Sequence, residues 1–178
     1  MVDMALILGI DPGTSLSAYC VMDSEDMSRI IDKGKTDNDT LKALVKQGYY
    51  DVLVIEGFQS FGMAVGATVF TTAYYIGRLL QMAEDLGSKT HIMYRTDVKM
   101  HICGTTRAKD ANIRCALIDR FAVHDKARGT GTIKAKDFFY GVSADIWSAV
   151  GICVTYIDTI KQQSCNQPVT KEIHNGDR

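Results

Sequence analysis

Apolar and polar positions change period several times along the chain, and the changes predict alternating strands and helices. Ala5–Ile10 is a short apolar run cut off by Asp11-Pro12-Gly13, which reads as a strand running into a turn. Ser17–Met22 and Arg29–Lys35 read as the second and third strands of a meander, with Asp23–Ser28 as the polar turn between them. Asn38–Gln47 carries Leu41, Leu44 and Val45 on one face, the spacing of a short helix. Asp51–Ile55 is β-branched and closes on Glu56, as a buried strand would. Phe58–Gly66 reads as a loop. Thr68–Leu86 is long, nearly free of breakers and apolar all round, so it is a helix that is buried or faces a partner subunit, with Gly87 as its stop.

The second half continues the alternation. His91–Tyr94 is a fifth strand, Thr96 caps a short helix through Ile102, and Asp110–Phe121 is an amphipathic helix. Ala122–Tyr140 reads as a long basic loop. Ser143 to about Ile160 is a helix with Ile146, Ala149, Val150, Cys153 and Ile157 on one face, and Ser143 is its expected cap. Strands paired early, then strands separated by helices, give an α/β fold with a mixed sheet flanked by helices. Many folds share that pattern.

Length and composition narrow the class. A chain of 178 residues suits one compact domain, expected over 1–163, with 164–178 as a polar tail that frays. Hydrophobic residues make up 46%, enough for a sizeable core. Net charge is −1, so bulk charge points to no polyanion, but its distribution does. Met1–Glu56 holds ten acidic and five basic residues, whereas Arg95–Lys136 holds ten basic and four acidic. Such a stretch binds polyanions or forms a solvated face. The five cysteines include no CxxC pair, which fits a reducing cytoplasm better than a disulfide framework or a zinc site. Neither a signal peptide nor a membrane span is expected.

Three carboxylates are candidates for chemistry. Asp11 closes the first strand, where a rigidly held carboxylate suits a hard cation and Gly13 would let a phosphate approach the backbone; an ordinary Asp-Pro-Gly turn explains it equally. Glu56 closes an apolar strand in the same way, or simply reaches water. Asp145 falls in the first turn of the last helix, where the helix dipole alone favours an acid. Widely separated in sequence, the three would converge at one end of an α/β fold. Magnesium prefers such oxygen ligands and leaves positions open for phosphate.

Taken together, Gly9-Ile10-Asp11-Pro12-Gly13-Thr14, then Val54-Ile55-Glu56-Gly57-Phe58, then Ser143-Ala144-Asp145-Ile146-Trp147-Ser148-Ala149 resemble the RuvC Holliday junction resolvases, particularly their phage-encoded relatives. The resemblance runs over roughly Leu6 to Tyr156, and the motifs are short but ordered. It implies a ribonuclease H-like fold with a mixed five-stranded sheet flanked by helices. It implies a DNA endonuclease acting on four-way or other branched junctions, with Asp11, Glu56 and Asp145 as ligands of Mg2+, for which Mn2+ would substitute. Lys99 and Lys109 stand where the family carries basic residues beside the scissile phosphate, Lys109 in a catalytic role. Arg107, Lys134 and Lys136 extend the DNA-binding set, and Phe58 and Phe61 are candidate wedges between bases or ordinary core residues. A homodimer in the cytoplasm is implied, the host cytoplasm for a phage protein. Ala73, Ile76, Gly77 and Leu80 form a candidate contact face on the helix after Gly66.

One position departs from the family. A fourth ligand, Asp or His, usually stands three residues before the last Asp, and here that position is Val142. Asp137 is a substitute from the loop. The departure keeps open a catalytically weak or inactive junction-binding protein, and the shared fold keeps open a related RNA-processing nuclease. An actin-like ATPase shares the opening motif but needs a second phosphate loop and a longer chain.

Overall fold

The computed structural model describes residues 5–60, 62 and 64–165. In chain order the elements are β1 (Leu6–Asp11), β2 (Leu16–Asp23), β3 (Asp32–Asp37), α1 (Asn38–Gln47), β4 (Val52–Gly57), α2 (Ala67–Asp85), β5 (Lys89–Tyr94), α3 (Arg95–Cys103), α4 (Asp110–Phe121) and α5 (Ile146–Cys165). The strands form one sheet in the order β3-β2-β1-β4-β5. β1, β2 and β3 pair antiparallel as a meander, whereas β4 and β5 add in parallel on the other side of β1. The expected mixed five-stranded sheet with flanking helices is what forms.

Side-chain parity sorts the sheet into two cores. Ile7, Val52 and Val54 point to the face covered by α3, α4 and α5, while Leu8, Ile10, Leu53 and Ile55 point to the face covered by α1 and α2. Both faces of the central strands are thus buried, which is why they read as continuous apolar runs. α5 is buried along most of its length and lies on β1 and β2. The contact is close because Gly9 has no side chain. A Cβ there would fall 2.5 Å from Cys153 Sγ and 2.8 Å from the Ala149 carbonyl oxygen.

Several expected boundaries shift for local reasons. β3 starts at Asp32, not Arg29, because the Asp23 carboxylate turns the chain by accepting from the Glu25 and Asp26 N–H groups. α1 forms over the expected residues, capped by Asp37, which accepts from the N–H groups of Asp39 and Thr40. α3 begins at Arg95; Asp97 accepts from the Tyr94 N–H, and the Thr96 hydroxyl donates to Gln59 instead of capping. α5 begins at Ile146, so Ser143 is not its cap. It runs to Cys165, two residues into the expected tail, and 166–178 lie outside the described residues.

α2 is not buried all round. Thr72, Tyr75, Ile76, Leu79 and Ala83 pack on the sheet, while Phe70 and Tyr74 are exposed on the other side. Of the expected contact face, Ile76 is in the core and Leu80 packs against it, leaving Ala73 and Gly77 outward. Among the described residues, no helix is long and apolar enough to cross a membrane.

The Gly9 contact yields a test. Gly9→Ala should cost about 2 kcal/mol of unfolding free energy by overpacking, read by urea denaturation. Adding Cys153→Ala should recover only part of the loss, because the Ala149 carbonyl is backbone.

Candidate active site

Asp11 and Glu56 close neighbouring parallel strands. Ile10 pairs with Ile55, so the next residues, Asp11 and Glu56, stand side by side on strands that run about 4.8 Å apart. Both have the parity of Ile7 and Val54 and therefore face α5. The row extends the other way, since Asp11 pairs with Ala18 and Ala18 with Lys35. Lys35, Ala18, Asp11 and Glu56 thus line one row across the sheet, under the start of α5.

Asp145 reaches this row from above. It precedes the helix at the cap position, its carbonyl accepting from the Ser148 and Ala149 N–H groups, rather than lying in the first turn. Ala144 before it has φ 43°, a left-handed conformation costly for a residue with a Cβ. The Lys35 ammonium donates to Asp145 Oδ2 at 2.5 Å, tying the row to the helix start.

The electrostatics confirm proximity. Burial raises the Asp11 pKa; the Ser148 hydroxyl pulls it down and the Asp145 charge pushes it up. Burial and then the Asp11 charge push Glu56 up from 4.5 to about 7. The three acids therefore feel one another, as carboxylates sharing a site do. As placed, they are held apart by cations. Among the described residues no three His, Cys, Asp or Glu side chains are gathered closely enough to hold one ion. The donor set still suits a hard divalent cation, being entirely carboxylate oxygen at one sheet end.

Arg95, the first residue of α3, is the element that the sequence did not single out. Its guanidinium lies 3.5 Å from Glu56 Oε2, 2.7 Å from Asp110 Oδ1 and 2.9 Å from the Ser148 hydroxyl. With Asp110, Arg114, Asp145 and Trp147 it lines a cleft of about 420 Å3 between α3, α4 and the start of α5. Arg114 stacks over the Trp147 ring at 4.9 Å. Lys35 was missed as well. Its signal lay in strand parity: with the meander register known, position 35 falls in the row of Asp11.

The basic residues divide. Lys99, on α3, is near enough to Glu56 to favour its charged form. Lys109 is exposed at the cap of α4, where its N–H donates to Asn112 Oδ1, and it adjoins the Asp110 that holds Arg95. Arg107 is exposed in the turn between α3 and α4. Lys136 instead lies over the Tyr140 ring at 4.8 Å and lines a second cleft with Arg29 and Lys33; Lys134 is exposed in the same loop. Phe58 is exposed just beyond β4 and belongs to neither core, so the packing alternative does not hold for it. Phe61 lies outside the described residues.

Neither expected source of a fourth ligand is available. Val142 is buried in the core under α5. Burial would raise the Asp137 pKa, but N–H groups from Val123, Asp125, Phe138 and His124 donate to its oxygens and hold it far below the carboxylate range. Asp137 is the staple of the basic loop. Gly13 also differs from expectation. A Cβ there would strike the Leu16 carbonyl, so glycine is required by the tight turn and not by an approaching phosphate. The turn is braced by Ser17, whose hydroxyl accepts from the Gly13 N–H, and by Asn38, which donates to the Gly13 and Thr14 carbonyls.

Solved structures arrange their elements in the same way. Thermus thermophilus RuvC in complex with a Holliday junction substrate superposes with a TM-score of 0.68 over 90% of this chain and 97% of that one, at 13% identity. The chain has the fold of RuvC. A second Thermus thermophilus RuvC structure gives a TM-score of 0.63 over 89% and 96%, at 13% identity. The yeast mitochondrial Holliday junction resolvase gives 0.53 over 90% and 80%, at 12% identity. No protein-family model and no curated protein sequence matches the chain.

Glu56 sets a pH dependence. A carboxyl raised in the folded state stabilises fully below its unfolded pKa near 4.5, and that contribution is lost as pH rises through about 7. In EDTA the protein should lose about 3 kcal/mol of this origin between pH 5 and pH 8. Melting temperatures across that range should fall, and Glu56→Gln should flatten the fall.

Proposed function

We propose that this protein is a metal-dependent endonuclease that resolves four-way or other branched DNA junctions. The observation that carries the reading is the convergence of Asp11, Glu56 and Asp145 at one end of a RuvC-like sheet, close enough to shift one another's ionisation. Asp11 and Glu56 are fixed by paired strands, and Asp145 by the start of α5. Mg2+ held by these carboxylates, or Mn2+ in its place, supplies Lewis-acid activation of water and of the phosphate. Hydrolysis of this kind leaves 5′-phosphate and 3′-hydroxyl ends.

The remaining residues position DNA. Lys99 and Lys109, on the two helices beside the site, hold phosphates next to the scissile bond and stabilise developing charge. Arg107 extends this line, and Lys134 and Lys136 contact a more distant part of the substrate. Phe58, exposed beyond β4, replaces stacking lost where strands separate. A homodimer matches the twofold symmetry of a four-way junction. The outward face of α2, with Phe70, Ala73, Tyr74 and Gly77, is its contact surface in this reading. A second reading, a junction-binding protein with little or no cleavage, draws on the buried Val142 where a fourth ligand would stand.

The test incubates labelled four-way junction, Y-fork and linear duplex with Mg2+, Mn2+ or EDTA. Paired cuts in the four-way junction, dependent on metal, are expected; binding with no cleavage under any metal favours the second reading. Asp11→Asn should reduce cleavage by about a thousandfold or more while junction binding survives in a gel-shift assay. Lys109→Ala should slow single-turnover cleavage by about 10- to 100-fold and weaken binding far less. Wild-type affinity should fall by about a thousandfold between 50 and 200 mM salt if six or more phosphates are contacted.

A further inference from the structure

The carboxylate cluster carries its own cation. We propose that the Arg95 guanidinium takes the place of a second divalent ion, so that a single ion, held at Asp11 and Asp145, loads the site. The inference rests on reading the cluster as a metal site and adds how many ions it takes.

Three observations point the same way. First, Arg95 is anchored on three elements at once: Glu56 on β4 at 3.5 Å, Asp110 on α4 at 2.7 Å and Ser148 on α5 at 2.9 Å. A planar fork with several fixed donors is pre-organised where it stands, unlike a surface lysine. Second, oxygen donors for another ion are missing around Asp145. Val142 is core, the Ser143 carbonyl accepts from Ile146 N–H, and Asp137 is spent on the backbone of its own loop. Third, the charges count to one ion. Asp11, Glu56, Asp145 and Asp110 contribute four negative charges, and Arg95 and Lys35 contribute two positive ones. The two that remain match one divalent cation. Lys99, the next nearest cation, makes no ion pair among the described residues.

Arg95 acts here through Glu56 and is a positioning residue. It holds the Glu56 carboxylate at one end of the row while Lys35 holds Asp145 at the other, so Asp11 faces the ion from between them. Replacing Arg95 with a neutral residue would leave three uncompensated negative charges, which draw a divalent cation more strongly or admit a second.

The test counts Mn2+ bound to the full chain by electron paramagnetic resonance of the free ion, carried to saturation. Wild type should bind one ion per chain. Arg95→Met should bind a second ion, or bind the first at least about tenfold more tightly, and Arg95→Lys should return the count to one. Two ions or none bound to wild type overturns the proposal with no variant needed. It is also overturned if Arg95→Met lowers the melting temperature but leaves ion count and affinity unchanged, which is the signature of a merely structural arginine. Junction cleavage with Mn2+ is assayed beside it. Failure of wild type to cleave sinks the nuclease reading, whereas the ion count alone judges Arg95.

Discussion

Repulsion among carboxylates held half out of water is the constraint around which this end of the molecule is arranged. Asp11 and Glu56 are forced side by side by strand register, and neither can move without breaking the β1–β4 ladder. Water screens them poorly, so each makes the other harder to ionise. The fold answers with cations from elements that sequence separates widely: Lys35 from β3 and Arg95 from the start of α3. Removing the closeness would remove the strain and, on the proposed reading, the ability to attract a divalent ion. A site of this kind trades stability for ligand affinity.

The close approach of α5 serves the same end. Gly9 lets the helix settle onto β1, and that brings Ser148 beside Asp11 and Asp145 over the row. The helix is nearly all core, so its register on the sheet is fixed by packing through Ala149, Cys153 and Ile157. Function at its first residues is therefore carried by burial along the rest of it. The basic loop before it shows the same division of labour, with Asp137 buried and spent on backbone so that Lys134 and Lys136 remain outside.

Much of this was legible in the sequence. Periodicity located every strand and helix, because each is long enough to bury a clear apolar face. Asp11, Glu56 and Asp145 stood out because each interrupts an apolar run at its end. What the sequence hid were properties of pairing. Lys35 lies on a polar edge strand, and only the register Asp11–Ala18–Lys35 brings it to the site. Arg95 was one of ten basic residues in its stretch, and nothing local set it apart from its neighbours. The start of α5 was misplaced because Ser143 is a good cap in isolation, whereas the left-handed Ala144 delays the helix to Ile146. The face of α2 was misjudged because apolar residues surround it, and periodicity cannot separate a buried Ile76 from an exposed Tyr74.

The turn at Ala144 gives the cluster unequal stiffness. Two of its acids belong to a hydrogen-bonded ladder, while the third hangs from a peptide in an unfavourable conformation at the end of a rigid rod. Any adjustment to ions or phosphates of different size is thus concentrated at one joint. The sheet acts as a fixed jaw and the peptide before Asp145 as the compliant one, so tolerance for different guests is set by rotation at a single backbone bond.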